Sequence, residues 1–363
     1  MVVEPVETTL INSQMPTYNT MKKLMILSVF LCCGLLLKAQ DKSTLYLTKP
    51  LANASIRTVQ AETSGGSLSV IGVSDEGQAR IEVYVNANNG PRLPKDEIEE
   101  RLKSSYQLSI STDNNQLTAI ARPKPDLRIG NKGLSISFKI YAPVNIATKL
   151  NTNGGGIHLE NLTGDQQFHT SGGGLHIEKV SGQIKGNTSG GGIELSGSRG
   201  DIDLHTSGGG IDVDNCNGKI HLVTSGGGIN ADNCSGEIYV ATSGGPIQGG
   251  HISGSFYAHT SGGGIHLRDL SCDLDAGTSG GGMNISIASL KKYVKLDNSG
   301  GNISLQLPKD AGMDLDIRGS RVSTTGFSGF SGQMSDRRID GKLNGGGTAV
   351  TADCGGNVSL SVK

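Results

Sequence analysis

Along residues 151–305, apolar side chains recur in pairs two positions apart, and the pairs themselves recur every 18 residues. Each repeat opens on T-S-G-G-G or a one-residue variant of it, with the threonine at Thr152, Thr170, Thr188, Thr206, Thr224, Thr242, Thr260 and Thr278. The sixth position of the repeat reads Ile157, Leu175, Ile193, Ile211, Ile229, Ile247, Ile265, Met283. The fifteenth reads Gln166, Ile184, Ile202, Ile220, Ile238, Phe256, Leu274, and the eighth and seventeenth are mostly aliphatic too. Polar or charged residues stand between these columns. Alternation of period two predicts two short strands per repeat, each with one inward face. T-S-G-G-G forms one corner and stretches such as "NCSG" form the other.

One repeat cannot bury its apolar face alone, whereas a stack of them can. Side chains of one column then lie about 4.8 Å apart, the spacing of neighbouring strands. The expected fold is all-β: a parallel β-helix, or β-solenoid, of 18-residue coils, right-handed by the general preference of parallel crossovers. The corner glycines are expected to meet two needs, a positive φ and the absence of a Cβ. The threonine column is expected to point inward as a hydroxyl ladder.

The flanks differ. Residues 41–150 alternate in short runs such as "SLSVIGV", "ARIEVYV" and "QLTAIAR", a β-rich start to the solenoid. Within them "PKDEIEERLKSS" (94–105) opens on Pro94 and spaces Ile98 and Leu102 four apart among charges, which predicts a short amphipathic helix. Residues 306–363 loosen the pattern into irregular coils, yet "DCGGNVSLSV" at their end echoes "NSGGNISLQL" at 298–307. A stack needs protected ends, and the helix and residues 306–342 are the expected caps.

Residues 21–40, "MKKLMILSVFLCCGLLLKAQ", have a charged start, an apolar run and a plausible cleavage region, the three parts of an export signal. The run of about 14 apolar residues is short for a membrane span, and no transmembrane segment is expected once it is removed. Residues 1–20 sit awkwardly before such a signal, so Met21 is the expected start and 1–20 a non-native extension. The localisation expected is exported, periplasmic or at the cell surface of a bacterium. Lipidation at Cys32 or Cys33 is disfavoured by the bulky Phe30 and Leu31 before them.

Composition narrows the function classes. Glycine supplies 55 of 363 residues, and its periodicity turns a flexible-linker composition into a corner-rich one. A net charge of −1 leaves no basic footprint for nucleic acid. The S-G-G-x-h-x-h corners, "KIYAPVNIATKLNTNGGGIHL" and the "LPKDAGMDLDI" to "LNGGGTAVTADCGGNVSL" segment resemble the bacterial putative-adhesin β-strand-repeat family, related to head-GIN and toast-rack-like domains. The resemblance spans nearly all of 41–363. It implies a single-stranded right-handed β-helix in the cell envelope and no catalytic chemistry or cofactor.

Several clusters invite chemistry. His158 and His176 share a column in adjacent coils with Glu160 and Glu178 beside them, a weak candidate for a zinc-like ion against the default of a solvated face. Asp212, Asp214, Asp232 and Asn230 form an acidic patch, but the corner lacks the G-G-x-G-x-D spacing of calcium-binding rolls. Same-face pairs such as Asp201/Asp203 follow automatically from strand alternation, and no inserted loop builds a cleft between Thr152 and Thr278, which weighs against a polysaccharide-active enzyme. A single inward threonine row likewise disfavours ice binding.

His221, Tyr239 and Tyr257 fall in one outward column on successive coils and form the candidate binding strip, for sugar rings or a protein partner. A cross-strand ladder that merely stabilises the sheet is the plain alternative. Tyr257 lies in the coil that departs most from the repeat, with Pro246 for a corner glycine and Gly249 inward. Cys216 and Cys234 stack in one column. Export favours a Cys216–Cys234 disulfide, whereas parallel Cβ directions would strain it and favour two buried thiols.

These readings converge on an exported, non-enzymatic, adhesin-like binding or scaffold protein. Its partner would be a glycan or an envelope or surface protein. The alternative is a periplasmic scaffold or sensor domain, and a polysaccharide-active β-helix enzyme comes third.

Overall fold

A computed structural model describes residues 44–363 apart from 52–54, 89–92 and 126–132; the expected extension, the export signal, Cys32 and Cys33 lie outside the described residues. Thr44–Lys363 forms one compact unit. It is all-β and solenoid-like, a long, mainly parallel sheet system with one α-helix among the described residues.

The strands form two ladders. One runs through Ile157–Glu160, Leu175–Glu178, Ile193–Ser196, Ile211–Asp214 and onward, and the other through Gln166–Thr170, Ser181–Thr188, Arg199–Thr206, Asn217–Thr224 and onward. Strand Ile265–Thr278 belongs to both and joins them. Partners in successive strands are offset by 18 residues, as in Ile184 with Ile202 and Ile193 with Ile211. Past Thr278 the step widens: Met283 pairs with Ile303, and Ile303 with Val358. The echo between 298–307 and the C-terminus is therefore spatial, because those segments are neighbours across an excursion of the chain.

A second excursion explains the N-terminal flank. Thr63 pairs directly with Thr152, so "TSGG" at 63–66 is a coil corner displaced from the 18-residue step by the segment after Val73. That segment and residues 308–347 carry the antiparallel strands. Thr44–Pro50 pairs with Arg80–Ala87, which runs antiparallel to Leu134–Pro143, and Tyr106–Asp113 runs antiparallel to Gln116–Pro123. Near the other end Met313–Arg318, Arg338–Leu343 and Phe330–Met334 pair antiparallel. The helix α1 (Lys95–Ser105) buries Ile98 and Leu102, with Asp96 and Glu97 in its first turn and Lys103 in its last, both favourable to the helix dipole. No helix among the described residues is long and apolar enough to cross a membrane.

The inward columns make one continuous core. Within it Gln166 has a partner at each end of its amide: its nitrogen donates to the Ile146 carbonyl at 2.7 Å and its oxygen accepts from Thr148 at 2.7 Å. The threonines are buried, but they do not bond to one another. Thr206 donates to the Gly191 carbonyl of the preceding coil at 2.7 Å and accepts from its own corner's Gly209 N–H at 3.3 Å. The same two bonds recur at Thr170, Thr188, Thr224, Thr242 and Thr260. The ladder is hydroxyl to carbonyl, stitching coil to coil.

The glycine expectation needs correcting. None of the T-S-G-G-G glycines has a positive φ; positive φ belongs to the other corner, as at Asn215 (54°) and Gly218 (127°). What the first corner demands is space. A Cβ on its middle glycine, Gly209 for instance, would stand 2.3 Å from the Gly191 carbonyl oxygen.

Candidate binding face

On strand Arg199–Thr206, Ile202, Leu204 and Thr206 are buried, so Asp203 and His205 must project outward. Register then places Asp203 beside His221, His221 beside Tyr239, Tyr239 beside Tyr257, and Tyr257 beside Asp275. His221, Tyr239 and Tyr257 thus stand in one outward row. The adjacent row contributes His205 and His259, each two residues beyond a member of the first.

The rings touch in unbroken order. His205 meets His221 edge-on at 5.2 Å between centroids, His221 meets Tyr239 at 4.7 Å, Tyr239 stacks on Tyr257 at 4.5 Å, and Tyr257 stacks on His259 at 3.9 Å. His259 can lie flat because Gly277 leaves bare backbone beneath it; a Cβ there would be 2.7 Å from the imidazole. Tyr239 is 37% exposed, and with His221 and Tyr257 packed against its ring it offers a ligand its outer edge. Burial raises the Tyr257 phenol above its usual range, helped by Tyr239 and Asp275, so it remains a neutral hydroxyl.

Carboxylates bracket the rings. Asp203 accepts from His205 Nε2 and His221 Nδ1, both at 2.8 Å on the same oxygen. Burial pushes its carboxyl upward, but the two imidazole hydrogen bonds together outweigh that and hold it below the usual range. At the other end Asp275 lies 3.0 Å from His259 Nε2 and 3.4 Å from Lys295 Nζ, and Lys295 reaches Asp297 at 3.2 Å. The hydrogen bond with Asp297 and the charge of Asp275 raise the Lys295 ammonium.

On the other ladder, His158 and His176 stack at 4.9 Å, as their shared column requires. They edge a shallow groove of about 500 Å³ floored by the corner glycines Gly156, Gly174 and Gly192. Their carboxylate partners diverge. His158 Nε2 meets Glu160 at 3.3 Å, His176 Nδ1 meets Glu194 at 2.8 Å, and Glu178 holds Lys179 at 2.5 Å. The acidic patch is occupied as well: Asp214 accepts from Asn233 at 2.7 Å, and Arg268 donates to Asp232 at 2.7 Å.

Cys216, Cys234, Cys272 and Cys354 are buried free thiols. Cys216 and Cys234 donate to the carbonyls of Asp214 (3.3 Å) and Asp232 (3.1 Å). Burial pushes the Cys216 and Cys272 thiols up to about 12 and that of Cys234 to about 11.

Reading columns singly finds His221, Tyr239 and Tyr257 but misses His205 and His259. The available signal was the second outward row, two residues along each strand, which brings a histidine to either end of the strip.

No family model and no curated protein matches the chain. Solved structures do, and three of them are these. The chain is similar to a putative cell adhesion protein from Clostridium sporogenes (11% identity, 88% of this chain and 100% of that one, TM-score 0.21). It is also similar to putative adhesins from Bacteroides fragilis (14%, 87% and 96%, TM-score 0.23) and Parabacteroides distasonis (13%, 87% and 96%, TM-score 0.29).

Proposed function

We propose that this chain is an exported, non-enzymatic binding module of the bacterial cell envelope, a right-handed parallel β-solenoid of 18-residue coils that presents its ring-bearing face to a glycan. The observation that carries the reading is the contiguous strip His205–His221–Tyr239–Tyr257–His259. Stacked on one another across a rigid sheet, the rings offer a sugar a row of outer edges and the two phenol hydroxyls at little entropic cost. Asp203 and Asp275 at the strip's ends supply acceptors for sugar hydroxyls, and Lys295 a donor. The shape of the site supports binding rather than catalysis: it follows a regular face, and its two carboxylates are separated by the rings instead of converging on one bond.

The test is a glycan array probed with wild type and with Tyr239→Ala/Tyr257→Ala. Both tyrosines point outward, so folding is expected to survive. Loss of array binding by tenfold or more in the variant supports the strip as the site. Equal binding by both proteins rejects it and leaves the rings as a stabilising cross-strand ladder in a scaffold.

A further inference from the structure

Among the described residues, Asp203, His205 and His221 are the one place where three metal-ligating side chains converge, their ligand atoms all within 4.8 Å of one another. We propose that these three residues form a site for a single first-row divalent transition ion, with zinc as the reference ion. The inference goes beyond glycan capture and does not depend on it.

The backbone fixes the arrangement. Asp203 and His205 are alternate residues of one strand and so share a face, and His221 is the register partner of Asp203 on the next coil. Both imidazoles aim a nitrogen at the same carboxylate oxygen, His205 through Nε2 and His221 through Nδ1, each at 2.8 Å. Two N–H protons thus occupy the space between three ligand atoms. A zinc ion about 2.0–2.2 Å from each ligand separates them by about 3.2–3.5 Å. The two contacts therefore need to open by roughly half an ångström. Side chains that are 39–43% exposed have the freedom for that movement, and the ion has a path from solvent. To take the ion, each imidazole must present its coordinating nitrogen without a hydrogen: a neutral ring moves its N–H to the far nitrogen by exchange with water, an imidazolium releases one proton to water, and the carboxylate binds as its anion.

The donor set selects the ion. Two imidazoles and one carboxylate suit zinc, copper or nickel, and offer too few oxygens for calcium or magnesium. Tyr239, packed on His221 at 4.7 Å between centroids, holds that ring in orientation. Three protein ligands leave the outer coordination positions to water or to an oxygen ligand arriving along the ring strip. The His158/His176 stack, by contrast, sends its two rings to different carboxylates and brings no third ligand between them.

The experiment is calorimetry with zinc chloride alone on the untagged, chelator-stripped chain, with cobalt substituted to read ligand geometry by absorption. Wild type is expected to bind one equivalent, and Asp203→Asn to bind at least tenfold more weakly. His205→Ala/His221→Ala, checked for fold by circular dichroism, is expected to lose that equivalent and the cobalt bands. His158→Ala/His176→Ala and Tyr257→Ala are expected to keep both, so failure of the glycan reading leaves this one intact. Wild type that takes up no zinc, or a His205→Ala/His221→Ala protein that binds it as wild type does, overturns the site.

Discussion

The middle glycine of each corner shows how one atom decides the coil spacing. At Gly155, Gly173, Gly191, Gly209, Gly227, Gly245, Gly263 and Gly281 an added Cβ would fall 2.0–2.3 Å from a carbonyl oxygen of the coil before. Because φ there is ordinary, the demand is for closeness between coils. Gly209→Ala is expected to destabilise by about 1–3 kcal/mol through overpacking. At Gly210 an added Cβ stands 3.2 Å from the Gly228 carbonyl, so Gly210→Ala is expected to cost distinctly less. Equal melting temperatures for the two variants would refute the close-approach account. The threonine beside this glycine bridges the same gap. Thr224→Val keeps the shape but leaves the Gly209 carbonyl and the Gly227 N–H without the partner hydroxyl. The expected loss is about 1–3 kcal/mol in urea unfolding, with Thr224→Ser milder. The chain itself keeps a donor where threonine is replaced: Asn298 reaches the Gly281 carbonyl at 3.0 Å and Cys354 the Gly301 carbonyl at 3.1 Å. The buried thiols add a pH dependence. An exposed cysteine ionises near about 8.5, while burial holds Cys216 at about 12 and Cys234 at about 11. Above about 8.5 the unfolded chain releases protons that the folded chain retains, so this contribution is complete below that pH and is lost as pH rises through the folded values. The urea midpoint is expected to fall from about pH 9 upward, and less steeply in Cys216→Ala/Cys234→Ala; identical slopes would remove the thiols from the account.

Among the elements, the strands were legible in the sequence wherever period-two alternation met the 18-residue step, because a column in the alignment is a column in space. Legibility failed where the chain leaves the stack. The corner at Thr63 went unseen because its partner Thr152 lies beyond an excursion, and the antiparallel pairings near the two ends cannot be aligned with any coil. The candidate site was legible to the same degree. One outward row gave His221, Tyr239 and Tyr257, whereas the cluster at Asp203 needs two rows and two coils considered together. Helix α1 was visible because its spacing switches from two to four, and its burial gives it a role to test. Ile98 and Leu102 are buried in the core at 1% and 6% exposure. Ile98→Asp/Leu102→Asp is expected to detach the helix from the core, bare apolar surface beside Tyr106–Asp113, a strand that pairs only with Gln116–Pro123 among the described residues, and drive self-association through its other edge. Light scattering that finds a monodisperse monomer at high protein concentration would show that the helix does not guard that edge.

At the scale of the whole molecule, the repeat that gives stability also spreads charge and rings along outer faces that only a partner outside the chain can use. On the proposed reading of an exported envelope protein, the partner available depends on which side of the outer membrane the Thr44–Lys363 unit faces. Exposed lysines answer this directly: Lys103 on the helix, Lys185 and Lys219 on the strip-bearing ladder, and Lys291 and Lys292 on the turn after Ile287. A membrane-impermeant amine reagent applied to intact cells modifies these groups only if the unit lies outside. Protease shaving discriminates less well, because a compact β-stack resists digestion wherever it sits. The adhesin-like reading expects Lys185 and Lys219 to be modified on intact cells, and expects a glycan that protects the ring strip to slow their labelling relative to Lys103. Modification only after the outer membrane is permeabilised would overturn the adhesive reading. The same strip would then face a periplasmic glycan or an envelope protein, and the chain would be a scaffold whose binding face points inward.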